Sequence, residues 1–290
     1  MQRLRTCFLL SASIMASAQQ HVSVPSTDGS VMLAAVSRDR SMLEGGLGGS
    51  SWTRSGTVLV EPIARITPSG DWLSLPCHSY DTKDCRKFER KYLKQPHTYG
   101  VVSADGRGAT IHAAPTSLSE CYGYNGTGTY VGASIAKSAL AAESTGMFAD
   151  SPSLRSLNSE EATAVRKALA ALVPGKLDSV QYLRLFAVQL EGKDMVIIQR
   201  AFSDVPAPQE DAGHKLIFAI GAVDQGRFDV LSWKKNVDDE DERILGTIRL
   251  KSGRDFLITT VSDPESQTFR VYGLRDGRLV RVYSGGGSSC

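Results

Sequence analysis

Residues 244–262 read ILGTIRL-KSGR-DFLITTVS, two apolar runs on either side of a four-residue turn. The pattern returns at once in residues 269–284, FRVYGL-RDGR-LVRVYS. A glycine-containing tight turn between two apolar runs is typical of a β-hairpin. The end of the chain therefore predicts antiparallel strands joined by short turns, and this stretch decides the fold class.

The same hairpin pattern extends back to residue 180. The runs YLRLFAVQL and MVIIQRAFS flank the turn at 191–194, and HKLIFAIGAV and RFDVLSWK flank the turn at 224–226. Together these hairpins predict a meander of about eight strands, forming an open sheet or a partly propeller-like one. This antiparallel β domain covers 180–290 and ends in a Gly/Ser tail, while the acidic run 238–242 is predicted to be a solvated loop.

The sequence before this meander predicts a second β-rich domain, over residues 57–131. TVLVEPIARI alternates and is followed by the turn signal Pro68-Ser69-Gly70. TYGVVSADGRGATIHAA, residues 98–114, is a hairpin pattern, and KFERKYLK, residues 87–94, is compatible with a short helix. Residues 19–56 include EGGLGGSS and predict a flexible N-terminal segment.

A helical bridge is expected between the two β domains, over residues 132–179. GASIAKSALAAE, residues 132–143, has a helix-like composition. A second helix is predicted to begin at Ser159 as N-cap and to end at Pro174-Gly175. The chain as a whole is therefore expected to be mainly β, with one or two helices between its β-rich parts.

The first 18 residues have the layout of a secretory signal peptide. Arg3 and Arg5 precede a short apolar run, and Ala16-Ser17-Ala18 offers a small-residue cleavage site. We expect cleavage near Ala18 and a secreted or periplasmic protein. The apolar run is much shorter than the ~20 residues that span a bilayer, so no membrane span is predicted.

The charge of the expected mature chain is balanced. Loss of Arg3 and Arg5 leaves 31 basic against 31 acidic residues. A neutral chain provides no overall electrostatic attraction to nucleic acid, so nucleic acid is not expected as a partner.

Four cysteines remain after the expected cleavage: Cys77, Cys85, Cys121 and Cys290. An even number in an exported chain predicts disulfides, with three possible connectivities. We favour Cys77–Cys85 together with Cys121–Cys290, because a bond that closes a long loop restricts the unfolded chain most. A free or intermolecular thiol at position 290 stays open as an alternative.

A metal site is the alternative reading of the first cysteine pair. Cys77, His78, Cys85 and His97 are residue types that bind zinc. The seven residues between the two cysteines exceed the usual two to four, and an oxidising compartment favours the disulfide. No cofactor or metal is therefore expected.

The last ~45 residues, 246–290, resemble the closing repeat of secreted bacterial proteins with integrin-like, FG-GAP/VCBS-type β repeats. The resemblance rests on the hairpin residues Val271, Tyr272, Leu274, Asp276 and Gly277. It implies a propeller-like or open antiparallel sheet that serves binding rather than chemistry. The family's turn often carries calcium-binding aspartates, but here that turn reads KSGRD, so the resemblance does not extend to calcium.

Three short motifs resemble the active-site motifs of penicillin-binding proteins and serine β-lactamases. They are Ser134-x-x-Lys137, Ser156-x-Asn158 and Lys251-Ser252-Gly253. The resemblance implies acyl transfer in which Ser134 is the nucleophile, Lys137 helps to deprotonate it, Ser156 relays protons and Lys251 holds a substrate carboxylate. Two features oppose it: Ser134 and Ser156 are too close in sequence for the family's helical subdomain, and Lys251 falls at a predicted hairpin tip.

The favoured hypothesis is an exported, non-catalytic binding or structural module of the bacterial cell envelope. Its partner would be a protein or glycan of the envelope, and the sequence leaves the oligomeric state open. The alternative is a serine acyl-transferase or hydrolase that uses Ser134 and Lys137 with Ser156 and Lys251.

Overall fold

The computed structural model describes residues 29–38, 56–76, 83–115, 126–172, 182–201, 217–224, 227–235, 241–262 and 266–289. The N-terminal strands are β1 (Val31–Ser37), β2 (Thr57–Ile66), β3 (Trp72–Leu73), β4 (His97–Val101), β5 (Thr110–Ala113), β6 (Gly126–Val131) and β7 (Ser138–Ala142). Helix α1 (Lys83–Phe88) precedes β4 and continues as a π-helical turn, Glu89–Leu93; α2 (Ser159–Leu172) follows β7. The C-terminal strands are β8 (Tyr182–Leu190), β9 (Lys193–Ala201), β10 (Ile217–Asp224), β11 (Arg227–Lys235), β12 (Asp241–Arg249), β13 (Asp255–Ser262), β14 (Ser266–Arg275) and β15 (Arg278–Ser289).

The N-terminal sheet closes into a barrel of six strands. Its order is β1-β7-β4-β5-β6-β2, and β1 pairs with β2 to complete the ring, while β3 extends β2 outside it. Side chains alternate along the wall, so that Met32, Ala34 and Val36 of β1 face the interior. Cys85 and Phe88 of α1 pack into the same apolar cluster. The barrel interior is thus a packed core with α1 against it.

The C-terminal half forms two antiparallel four-stranded sheets, β8–β11 and β12–β15. Every strand pairs with its sequence neighbour within its sheet. Three of the predicted turns are confirmed: Glu191 and Gly192 lie between β8 and β9, residues 251–254 lie between β12 and β13, and Asp276 and Gly277 lie between β14 and β15. The turn predicted at 224–226 lies only partly within the described residues. The expectation of a mainly β fold with antiparallel sheets in this half is confirmed.

Apolar side chains join the barrel, the two sheets and α2 in that order. The outer face of the barrel packs on one face of β12–β15, where Leu33 and Leu140 meet Phe256 and Phe269. The other face of β12–β15 packs on β8–β11 through a second cluster that includes Leu257. Helix α2 covers the far side of β8–β11. Strand β13 is therefore buried on both faces, which explains why DFLITTVS reads as a nearly continuous apolar run.

The helix predicted over residues 132–143 is wrong, because residues 138–142 form strand β7. This strand completes the barrel wall by pairing with β1 and β4. Its outer face contacts β12, where the Ser138 Oγ donates to the Leu245 carbonyl at 3.4 Å. Small alanines allow this close packing on both faces, and here tertiary packing outweighs the helical propensity of alanine.

Two segments that the sequence presents as flexible contain strands. Strand β1 lies inside the predicted flexible segment 19–56, and Met32 to Val36 are fully buried. Strand β15 runs through the Gly/Ser tail to Ser289, with Gln267 opposite Ser288. The absence of side chains at Gly286 and Gly287 permits close approach, because a Cβ at Gly286 would lie 2.6 Å from the Ile63 carbonyl oxygen. The tail is part of the packed sheet.

Candidate functional site

Five polar and aromatic side chains meet at one end of the barrel, and we call them the barrel-end cluster: Arg65, Tyr92, His97, Tyr99 and Glu143. They come from the end of β2, the π-helical turn after α1, the start of β4 and the residue after β7. Strand β1 links these elements, because it pairs with both β2 and β7. Just after β7, the Glu143 amide donates to the Met32 carbonyl of β1 at 3.1 Å. The cluster therefore joins residues up to 78 positions apart in sequence.

His97 lies at the centre of the barrel-end cluster. Its ring stacks on Tyr92 with centroids 5.9 Å apart and an interplanar angle of 21°, and Tyr99 lies 6.1 Å away. The His97 Nδ1 is 3.8 Å from the Glu143 Oε1, which is too long for a hydrogen bond. The pair can interact by charge alone, and only when the imidazole is protonated.

Within the cluster, His97 Nε2 and Glu143 Oε1 are buried and have no hydrogen-bond partner among the described residues. The other carboxylate oxygen, Glu143 Oε2, accepts from the Met32 amide at 3.3 Å. Buried polar groups are nearly always paired in proteins, so each exception needs an explanation such as a ligand, ion or water. These two atoms are the reason to treat the cluster as a candidate site.

The phenol of Tyr99, the buried tyrosine of the cluster, stays protonated. Burial raises the pKa of the Tyr99 phenol, and the charge of Glu143 and then Tyr92 act in the same direction. The phenol is therefore a hydrogen-bond donor throughout the physiological range. The cluster combines this donor with an imidazole, a carboxylate and a guanidinium, groups suited to binding a polar ligand.

The four residues of the acyl-transfer alternative lie on three separate exposed segments. Ser134 and Lys137 precede β7, Ser156 follows the contact between Arg155 and Ala187 of β8, and Lys251 begins the turn after β12. All four are exposed. None of the hydrogen bonds found among the described residues joins one of these side chains to another.

The crossing of β7 and β12 separates Ser134 from Lys251. Ser138 contacts Leu245 at one end of the crossing, and Phe148 bridges Leu250 at the other. Ser134 lies before the first contact and Lys251 after the last. The intervening strand length is roughly 16 Å at 3.3 Å per residue, too far for a serine and its substrate-binding lysine to share one small acyl group.

The residues of the zinc alternative are only partly described. Cys77 and His78 lie outside the described residues, as do Cys121 and Cys290, so both predicted disulfides stay predictions. Cys85 is 1% exposed on the barrel side of α1, and His97 belongs to the barrel-end cluster. Among the described residues, no group of three or more His, Cys, Asp or Glu could hold a metal ion.

Glu61 is a buried acid that the sequence motifs do not single out. Glu61 of β2 is fully buried where the barrel meets the C-terminal sheet, and its Oε2 accepts from the Gln267 Nε2 at 3.0 Å. Burial, partly offset by this hydrogen bond, raises the pKa of Glu61 to about 8. The signal was present in the sequence, since TVLVEPIARI places one acid inside an apolar strand.

The acidic run 238–242 is not wholly a solvated loop, which corrects another expectation. Strand β12 begins at Asp241, and Glu242 is buried. Its carboxylate accepts from Thr259 Oγ1 and Tyr272 OH at 2.7 Å each, and from Arg270 Nη1 at 2.8 Å. Every oxygen of Glu242 is paired, so this network is a structural link within β12–β14 and a weaker site candidate than the barrel-end cluster.

Comparison with known proteins identified no relative. No protein-family model matches the chain, and neither a curated protein nor a solved structure does. The resemblance of residues 246–290 to FG-GAP/VCBS-type repeats therefore stays a prediction. Neither helix in the described parts of the chain has the length and apolar character needed to cross a bilayer.

Proposed function

We propose that this chain is an exported, non-catalytic binding module of the bacterial cell envelope, with a protein or glycan of the envelope as its partner. The observation that carries the proposal is the barrel-end cluster. Four chain segments converge there, and the His97 Nε2 and Glu143 Oε1 lack partners among the described residues. Convergent polar groups on a rigid β scaffold are typical of a binding site.

The non-catalytic part of the proposal is supported by the placement of the acyl-transfer residues. Ser134 and Lys251 lie at opposite ends of the β7–β12 crossing, so a nucleophile and its substrate clamp do not share a pocket. The export part is supported by the layout of residues 1–18. The barrel interior is filled by side chains, which leaves the surface as the place for recognition.

Binding to isolated envelope fragments tests the proposal. The purified chain should cosediment with the fragments saturably, and His97→Gln and Glu143→Gln should each weaken binding several-fold. His112→Gln is the matched control, because His112 lies on the neighbouring strand β5 and is exposed. Each variant's melting temperature should be recorded to separate lost binding from lost folding.

Two results would contradict the proposal. The first is an absence of cosedimentation, or binding that both cluster variants retain in full. The second is covalent labelling by a fluorescent penicillin that Ser134→Ala abolishes, which would establish the acyl-transfer alternative.

A further inference from the structure

A strongly basic surface lies beside the barrel-end cluster, on α1 and the π-helical turn. Residues 83–94, KDCRKFERKYLK, contain six cations and two acids. The apolar members Cys85, Phe88 and Leu93 are buried against the barrel. The cations therefore face outward, and all of them are exposed: Lys83, Arg86, Lys87, Arg90, Lys91 and Lys94. We call this surface the basic face.

Three lysines of the basic face have no acidic partner among the described residues. Glu89 pairs with Lys94 at 3.7 Å. Lys83, Lys87 and Lys91 form no ion pair with any acid in the described parts of the chain. Charges of one sign concentrated on one surface produce a local potential even when the whole chain is neutral. An anionic partner would thus meet an attractive field at this face.

Tyr92 connects the basic face to the barrel-end cluster. Lys91 Nζ lies 4.9 Å from the centroid of the Tyr92 ring, and Arg65 Cζ of β2 lies 5.9 Å from it. The ring also contacts Phe88 and His97. Two cations from different elements therefore lie within 6 Å of one aromatic ring, which also stacks on His97 of the cluster.

The structure distinguishes between possible anionic partners. An amphipathic helix that binds a lipid surface inserts its apolar residues, but those of α1 are used inside the barrel. The large exposed hydrophobic residues in the described parts of the chain, Leu73 and Val131, lie on other elements. The stripe from Lys83 to Lys94 is roughly 16 Å long, a length suited to several successive charges of a linear polymer.

We propose that the basic face binds an acidic polysaccharide, with the barrel-end cluster contributing hydrogen bonds to its sugar groups. This proposal rests on the proposed function, because it is export that places the chain among envelope glycans rather than nucleic acids. It specifies the class of partner as a carboxylated or sulfated glycan chain bound mainly by charge.

The test measures binding to heparin and to polygalacturonate, as sulfated and carboxylated probes, over a range of salt concentrations. The triple variant Lys83→Gln, Lys87→Gln, Lys91→Gln should bind at least about 10-fold more weakly, and its log–log salt slope should fall by about 2–3. The matched control is Lys167→Gln, Arg275→Gln, Arg278→Gln, which removes three exposed cations from other surfaces and should bind like the original chain.

Three outcomes would overturn the inference. Equal losses in the two triple variants would show that net charge, rather than the basic face, decides binding. Tighter binding to anionic lipid vesicles or to single-stranded DNA than to both polysaccharides would assign the face to a different partner. The third outcome is that the His97 and Glu143 variants lose binding to envelope fragments while the lysine triple variant binds them normally. This would reject the basic face as the binding surface and leave the proposed function standing.

Discussion

Glu61 illustrates how one residue can make the stability of this protein depend on pH. The Glu61 Oε1 and the Gln267 Oε1 are both buried without a partner among the described residues. A proton on the Glu61 carboxyl would turn it into a donor, and the side chains of Glu61 and Gln267 could then pair through two hydrogen bonds, as an acid does with an amide. Burial favours the same protonated form, since it disfavours the charged carboxylate.

Unfolding of this protein should depend on pH through Glu61. The pKa of Glu61 is about 8 in the folded chain, against 4.5 for a glutamate exposed in the unfolded chain. Between these values the folded state holds a proton that the unfolded state lacks. The free energy of unfolding should therefore fall as pH rises through this window, by on the order of 5 kcal/mol in total.

Glu61→Gln should remove this dependence, because glutamine is neutral and retains a donor and an acceptor. Urea unfolding at pH 5, 7 and 8.5 should show the variant gaining on the original chain as pH rises. Glu160→Gln, at an exposed position in the first turn of α2, is the control and should leave the profile unchanged. Parallel pH profiles for Glu61→Gln and the original chain would show that Glu61 does not titrate in this range.

At the scale of single elements, α2 shows how local capping sets a boundary. Asn158, rather than the predicted Ser159, is the N-cap: its Oδ1 accepts from the Glu161 amide, and Glu161 Oε2 accepts from the Asn158 amide, both at 2.8 Å. This reciprocal pair is a capping box. Glu161 also pairs with both terminal nitrogens of the Arg155 guanidinium, which lowers the pKa of that carboxyl.

Asn158→Ala should cost about 1 kcal/mol of stability, because the first turn of α2 loses its side-chain cap. Ser159→Ala is the control and should have a much smaller effect, since no side-chain cap depends on it. Chemical denaturation of both variants measures the difference. An equal loss of unfolding free energy in the two variants would contradict the assignment of Asn158 as the N-cap.

The glycine tail offers a second prediction at this scale. Gly287 has a φ of 85°, and a Cβ there would overlap the carbonyl oxygen of Gln267. Gly253 has a similar φ of 88°, but open space surrounds its Cβ position. Gly253→Ala should therefore cost only the backbone strain, about 1 kcal/mol.

Gly287→Ala should cost several times more than Gly253→Ala, because the β14–β15 pairing must open to relieve the overlap. Thermal unfolding of the two variants gives the comparison. A melting temperature for Gly287→Ala no lower than that of Gly253→Ala would mean that the tail does not pack as strand β15 in solution.

At the scale of the whole molecule, the net charge does not describe how charge is distributed over the surface. The expected mature chain is neutral, yet residues 83–94 concentrate six cations on one surface. The run KFERKYLK, residues 87–94, predicts a short helix but does not show which of its side chains face solvent. The exposed face became clear only with α1 packed on the barrel, because burial of Phe88 and Leu93 determines which side chains face solvent.

Signal-peptide cleavage and the disulfide pairs can be tested only on the whole exported chain. Export should yield a mature N-terminus at Gln19, no free thiols, and the linked pairs Cys77–Cys85 and Cys121–Cys290. Intact mass with thiol counting, followed by non-reduced peptide mapping, checks all three. Free thiols at Cys77 and Cys85 with a bound zinc would instead support the metal alternative, and an N-terminus that retains residues 1–18 would contradict export.

The sequence by itself determined the hairpins of β8–β15, because each is specified by a turn and two adjacent runs within about 20 residues. It also determined the mainly β class and the existence of α2. Only the tertiary structure decided that residues 138–142 are a strand, that the tail is part of a sheet, and that His97 meets Glu143. These features depend on partners far apart in the chain: β1 pairs with β7 across a hundred residues, and no local pattern encodes such a contact.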